Sequence, residues 1–247
     1  MPQFSDDLYL GSAPTLLVGS DNINNPSGTG IGPMGRVFVW DMVPLVLQAA
    51  GLASSQNPAS GASFTLTAGT GVTTVVDETG TTRYVLDVPR SVTIAAAAAN
   101  TATYTVTGYD AYGQRMTQTL AAPSTSTVTT TKAFKSVISV TNANATLATN
   151  GLTVGYSNVF GIPVRVTDAA YITNVKWDAT LAANAGTFVA AVQTDPATAS
   201  TGDVRGTYAV AGSAPDGARR LIMVIALPAL ACGPNATRVG AFGVTQA

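Results

Sequence analysis

Histidine is absent from this chain of 247 residues, and cysteine and glutamate occur once each, at Cys232 and Glu78. General acid/base catalysis, metal ligation and nucleophile activation draw mostly on those side chains, so their scarcity puts a structural or binding role ahead of an enzymatic one. A Ser-His-Asp triad is excluded by the missing imidazole. A Ser-Lys variant would have to use Lys132, Lys135 or Lys176, and nothing adjacent in sequence supports one. One cysteine cannot form an internal disulfide, so Cys232 reads as a small buried hydrophobe.

Charge is the next shortage. Charged residues make up 10% of the chain, against about 25% in an ordinary soluble domain. The 12 basic and 13 acidic residues nearly cancel, leaving no field to draw the protein to nucleic acid or to anionic lipid, so neither is expected as a partner. Asp6 and Asp7 stand where a secretory signal would carry Lys or Arg, and no long apolar core follows them. The longest apolar stretch, Leu221 to Cys232, is broken by Pro228 and falls short of the about 20 residues of a membrane span. Synthesis as a soluble protein in a cytoplasm is the expectation.

The polar surface comes instead from Thr, Ser, Asn and Gly, a composition that favours pleated strands and turns over helices. The fold class expected is all-β, sandwich or jelly-roll-like, with an extended N-terminal arm and at most one or two short helices. Residues 1–35 are dense in Gly, Pro, Ser and Asn, yet carry Phe4, Leu8, Tyr9, Leu16, Leu17 and Ile23. That is more apolar weight than a solvated tail holds, so the arm is expected to pack on its own core or on a neighbouring subunit.

From Arg36 the pattern changes. RVFVWDMV reads as a buried strand, and PLVLQAAGLA after it is the best helix candidate, with Pro44 in the first turn and Gly51 at its end. A ladder of short strands then runs to about Val166, with turn signals every 8 to 12 residues or so. ETGTTR predicts a hairpin with Gly80 at positive φ, and Asn150-Gly151 is the strongest two-residue hairpin signal. In ThrTyrThrValThr at 103–107, Tyr104 and Val106 share a face. The alanine run 95–99 is too short to nucleate a helix alone and reads as a strand end and connection. Residues 167–247 supply further strands that complete the same β unit or a second one, and LIMVIAL, apolar on both faces, should lie centrally.

Few motifs suggest ligands. Gly30-Ile-Gly32-Pro33-Met34-Gly35 spells GxGxxG, but a loop precedes it and a strand follows, the wrong context for a dinucleotide. Asp21, Asn22, Asn24 and Asn25 offer oxygen donors without EF-hand spacing. The adjacent carboxylates Asp6-Asp7 and Asp77-Glu78 point to opposite faces of an extended chain and form no acid/base couple. No cofactor, metal or catalytic residue is therefore assigned. Tyr104, Tyr109, Tyr112 and Phe134 could form a stacking platform. Without interleaved basic residues a nucleic-acid reading fails; a sugar-binding platform stays open beside the first reading, core or subunit interface, with Tyr109 and Tyr112 the interface candidates.

Three segments carry a resemblance: TVTGYDAYGQRMTQTL at 105–120, KAFKSVISV at 132–140 and NVFGIP at 158–163. Together with MPQFSDDLYLGSA, GPMGRVFVWDMVPL and GlyAspValArgGlyThrTyr at 202–208, they resemble a family of tailed-phage and prophage virion proteins. Gln118 stands where that pattern commonly has an acidic residue, and the alanine run replaces a more polar loop. The resemblance implies a non-enzymatic decoration or cement protein on the outer face of an icosahedral capsid. Its partners would be the major capsid protein and itself, as a homodimer or homotrimer. A tail, collar or fibre component that binds a host surface is the alternative within the same resemblance.

Overall fold

The computed structural model describes residues 8–10, 35–97, 100–124, 126–143, 151–178, 180–181, 186–192 and 202–227. Its strands, in chain order, are β1 (Leu8–Leu10), β2 (Gly35–Met42), β3 (Gln48–Gln56), β4 (Val72–Val76), β5 (Thr82–Ala95), β6 (Tyr104–Tyr109) and β7 (Arg115–Leu120). They continue as β8 (Thr127–Asn142), β9 (Leu152–Gly161), β10 (Ile172–Trp177), β11 (Thr180–Leu181), β12 (Thr187–Val189), β13 (Thr207–Ala209) and β14 (Leu221–Leu227). A single 3-10 turn at Ala169–Tyr171 is the helical exception among the described residues. The protein is all-β, as its composition predicts.

The strands form two antiparallel sheets. The smaller runs β1-β2-β14-β10-β11; the larger runs β12-β13-β9-β5-β8-β6-β7, with β3 also on β9 and β4 also on β5. Segment 61–69 stitches the larger sheet shut. Phe64 and Gly61 donate to Val140 and Asn142 at the end of β8, while Thr67 and Gly69 donate to Leu52 and Gly51 in β3. Sequence-distant strands share each sheet: β2 pairs with β14, and β9 pairs with β13.

Alternation decides the packing. Tyr104 and Val106 of β6 and Met116 and Leu120 of β7 are all turned into the core while the threonines between them are not, as a period of two requires. The larger core lies inside the curled sheet around Phe64, Leu86, Ile94, Phe134, Val154 and Tyr156. A second core joins the smaller sheet, through Trp40, Met223, Val175 and Ile225, to Phe160, Tyr208 and the crossover residues Ile162, Val164 and Val166. β14 does lie centrally in its sheet, with Leu221, Met223 and Ile225 buried and the alternate residues half-buried.

Two expectations change. RYVLDV at 83–88 and SVTI at 91–94, which read as two of the short strands of the ladder, form one long strand, β5, whose ladders to β8 and β9 slip around Pro89 and Arg90. Proline has no N–H to give the ladder, so the strand bends there without ending. The expected helix PLVLQAAGLA at 44–53 is instead an extended loop over 44–47 followed by the first six residues of strand β3. Leu45 N–H donates to Asp87 Oδ2 at 2.8 Å, and Leu45 C=O accepts from Arg90 Nη2 at 2.7 Å. A carbonyl that would accept an intrahelical bond is thus used by an arginine on another strand, and the carboxylate paired with that arginine takes the Leu45 N–H. The alanine run behaves as expected where described, with Ala95 ending β5.

Candidate functional site

The GYDAYGQRM segment forms the β6–β7 hairpin and its turn. Asp110 N–H donates to Gln114 O, and Gly113 sits at φ +81°, closing the turn. Asp110 Oδ1 accepts the backbone N–H groups of Tyr112 and Gln114, both at 2.8 Å. Its other oxygen, Oδ2, accepts from Arg205 Nη1 at 2.6 Å, across 95 residues of sequence. Both side chains of this pair are buried, at 5% and 2% exposure.

Around this pair two more of the resemblance-bearing segments converge, 132–140 and 158–163. Tyr112 lies against the Arg205 guanidinium, 4.6 Å from ring centroid to Cζ, and its hydroxyl donates to Pro163 O at 2.6 Å. Asp203 reaches β8, accepting from Ala133 N at 3.0 Å, and also accepts from Arg205 N at 2.8 Å. Burial pushes the Asp203 carboxyl above its ordinary range, against those two hydrogen bonds and the Arg205 charge. Gln118 Oε1 accepts from Thr131 N and Lys132 N, fastening β7 to β8, and Lys132 Nζ donates to Thr117 O at 3.1 Å. Desolvation holds the Lys132 ammonium below its ordinary range, partly offset by Asp203. Chemically the cluster is a tie: each carboxylate accepts two backbone amides, and Asp110 also takes the Arg205 guanidinium, which fixes the geometry of the segments they join.

A second tie of the same kind lies on β5. Arg90, fully buried, is held by Asp87 through both of its carboxylate oxygens and also donates to Leu45 O and Ser157 O. Lys135 Nζ donates to the carbonyls of Leu86 and Asp87. Burial pushes this lysine down as well, with Asp87 opposing the shift.

The described surface also holds an open groove of about 650 Å³, lined by Val75, Val76, Arg83, Tyr109, Arg115 and Ile138 and by the turn at Asp77–Thr81. It crosses the face of strands β4, β5, β8, β6 and β7. Arg83 lies over the Tyr109 ring at 3.9 Å and is held by Asp77 Oδ2. Asp77 Oδ1 accepts from the Thr79 hydroxyl and from Thr79 N and Thr81 N. The Thr79 hydroxyl leads the causes that hold the Asp77 carboxyl far below its usual value.

Of the interface residues expected from sequence, Leu8 and Tyr9 lie in β1, opposite Val37 and Arg36 of β2. Tyr109 lines the groove beneath Arg83, and Tyr112, half exposed at 52%, caps Arg205. The structure therefore does not bring the two tyrosines into one platform: each ring has an arginine against it. Tyr104 and Phe134 are core residues. Phe4, Leu16, Leu17, Ile23, the oxygen-rich run at 21–25, Gly30 to Met34 of the GxGxxG match, Asn150 and Cys232 lie outside the described residues. Among the described residues no cluster of three or more His, Cys, Asp or Glu could hold a metal ion.

Sequence reasoning did not find Asp87, Arg90, Asp110, Asp203 or Arg205. Their signal was available: in a chain this poor in charge, an ionisable residue inside or beside an apolar strand run needs a partner. Comparison with protein families, with curated proteins and with solved structures finds no match to this chain.

Proposed function

We propose that this protein is a non-enzymatic structural component of a tailed-phage particle, a decoration or cement protein that sits on the outer capsid surface and bridges major capsid protein subunits. One observation supports the reading above the others. Four of the six segments that carry the resemblance, 105–120, 132–140, 158–163 and 202–208, meet at the Asp110–Arg205 tie. Motif residues that serve a reaction converge on an open cavity; these converge on one another and lock four separate stretches of chain. Such a lock suits a protein whose work is to hold its shape between neighbouring subunits, where many modest contacts add by avidity.

The test is quantitative mass spectrometry of purified particles divided into head and tail fractions. Hundreds of copies per particle in the head fraction are expected. A few dozen copies or fewer, recovered with tails, would replace the decoration role with a tail, collar or fibre role.

A further inference from the structure

Among the described residues the edge of β4 is open: the strand pairs only with β5, and Asp77 N–H donates to Thr81 O at the end of that ladder. Alternation along an antiparallel pair then turns the backbone groups of Thr74 and Val76 away from β5. Edge strands in soluble proteins are ordinarily protected by a charge, a proline or a bulge. Val72–Val76 has none of these: its sequence is VTTVV, and its ladder to β5 is regular.

The apolar surface gathers at the same place. Val75 and Val76 are 52% and 64% exposed, and Val43, Val46 and Leu47 are exposed on the loop between β2 and β3. That loop abuts the start of β4. A side-chain carbon placed on Gly71 would lie 2.9 Å from Leu45 Cδ1. Exposed apolar side chains thus flank both ends of the strand, Val46 and Leu47 on the loop beside its start and Val75 and Val76 at its end, one on each face of the sheet, and the acidic residues Asp77 and Glu78 lie at one end only.

We propose that this edge is a homodimer interface, in which β4 of a second copy adds antiparallel across a two-fold axis. A two-fold interface must complement itself. Antiparallel pairing places Val75 and Val76 of each copy beside the Val46–Leu47 end of the other. It also keeps the two Asp77-Glu78 turns about 17 Å apart, a five-residue strand length, where a parallel arrangement would stack like charges. The inference concerns the isolated chain, so it stands or falls independently of any role in a particle.

Sedimentation equilibrium of the full chain tests it, alongside Val76→Lys, Thr74→Pro and the control Val189→Lys on β12. Thr74→Pro removes only an outward-facing N–H, and circular dichroism and a melting curve show that each variant is folded. The wild type is expected to dimerise, with either β4 substitution raising the dissociation constant about tenfold or more and Val189→Lys leaving it unchanged. A wild type that stays monomeric through the micromolar range overturns the proposal, as does a dimer indifferent to both β4 changes. Hydrogen exchange adds a third arm. Protected amides at Thr74 and Val76 in a monomer would mean that another segment of this chain occupies the edge.

Discussion

Two hairpin turns in this chain share one pattern, Asp-x-x-Gly-x, at Asp77–Thr81 and Asp110–Gln114. In both, one carboxylate oxygen accepts the N–H groups two and four residues on, and the glycine sits at φ near +80°. In both, the second oxygen takes an arginine that lies against a tyrosine. The difference is where the arginine comes from. Arg83 is six residues away on the same hairpin and 29% exposed; Arg205 is 95 residues away and buried. One motif therefore makes a self-contained turn in the first case and a long-range fastening in the second, and burial converts the same hydrogen bonds from incidental to structural.

Breaking the buried member should have the largest effect. Arg205→Ala leaves the Asp110 carboxylate desolvated without its cation, a loss of about 3–5 kcal/mol, read as a fall of about 10 °C in the melting midpoint. Denaturant titration of the same variant should give that loss with an unchanged slope. A change below about 1 kcal/mol would show that the pair is as dispensable as a surface one.

The glycines sharpen the comparison from the other side. No atom lies within 4 Å of a side chain built on either Gly80 or Gly113, so only the positive φ resists substitution. Gly80→Ala and Gly113→Ala should each cost about 1–2 kcal/mol, and nearly equally. A much larger loss for Gly113→Ala in equilibrium unfolding would mean that the local turn and the distant tie are coupled.

Arg83→Ala should have the smallest effect at neutral pH, because its pair with Asp77 is accessible to water and salt. Acid is where this turn becomes visible. The folded Asp77 carboxyl titrates below its unfolded value, so its contribution is present above that value and is lost as pH falls. Asp77→Asn should therefore flatten the decline in stability between about pH 5 and pH 3. Asp203 works in the opposite sense: burial raises its carboxyl, so its contribution is fullest in acid and fades as pH rises through the folded value. If acid titration of Asp77→Asn retains the wild-type slope, the exposed turn contributes nothing and another carboxylate carries it.

The strand ladder was legible because alternation is local. Tyr104 and Val106 announce β6 within five residues, and Gly80 announces the β4–β5 turn within six. The β2–β3 loop was not legible, because Pro44, the alanines and Leu45 have real helical preference. What overrides it is Asp87 and Arg90, about 40 residues further on, which take both backbone groups of Leu45. The Asp110–Arg205 tie was hidden for the same reason at greater distance. GYDAYGQ and GDVRGTY stand out as motifs, but nothing in either says that it needs the other.

The inward use of cations also sets which of the chain's lysines a reagent can reach. Of its three lysines, Lys132 is buried with its ammonium on Thr117 O, and Lys135 is held by the carbonyls of Leu86 and Asp87; Lys176, on β10 of the smaller sheet, is exposed. An amine-directed dye or biotin should therefore take Lys176 as its single reactive lysine in the folded protein. The label would sit on a different sheet from the β4 edge, giving a handle for counting and imaging copies without touching the surface on which they are proposed to pair.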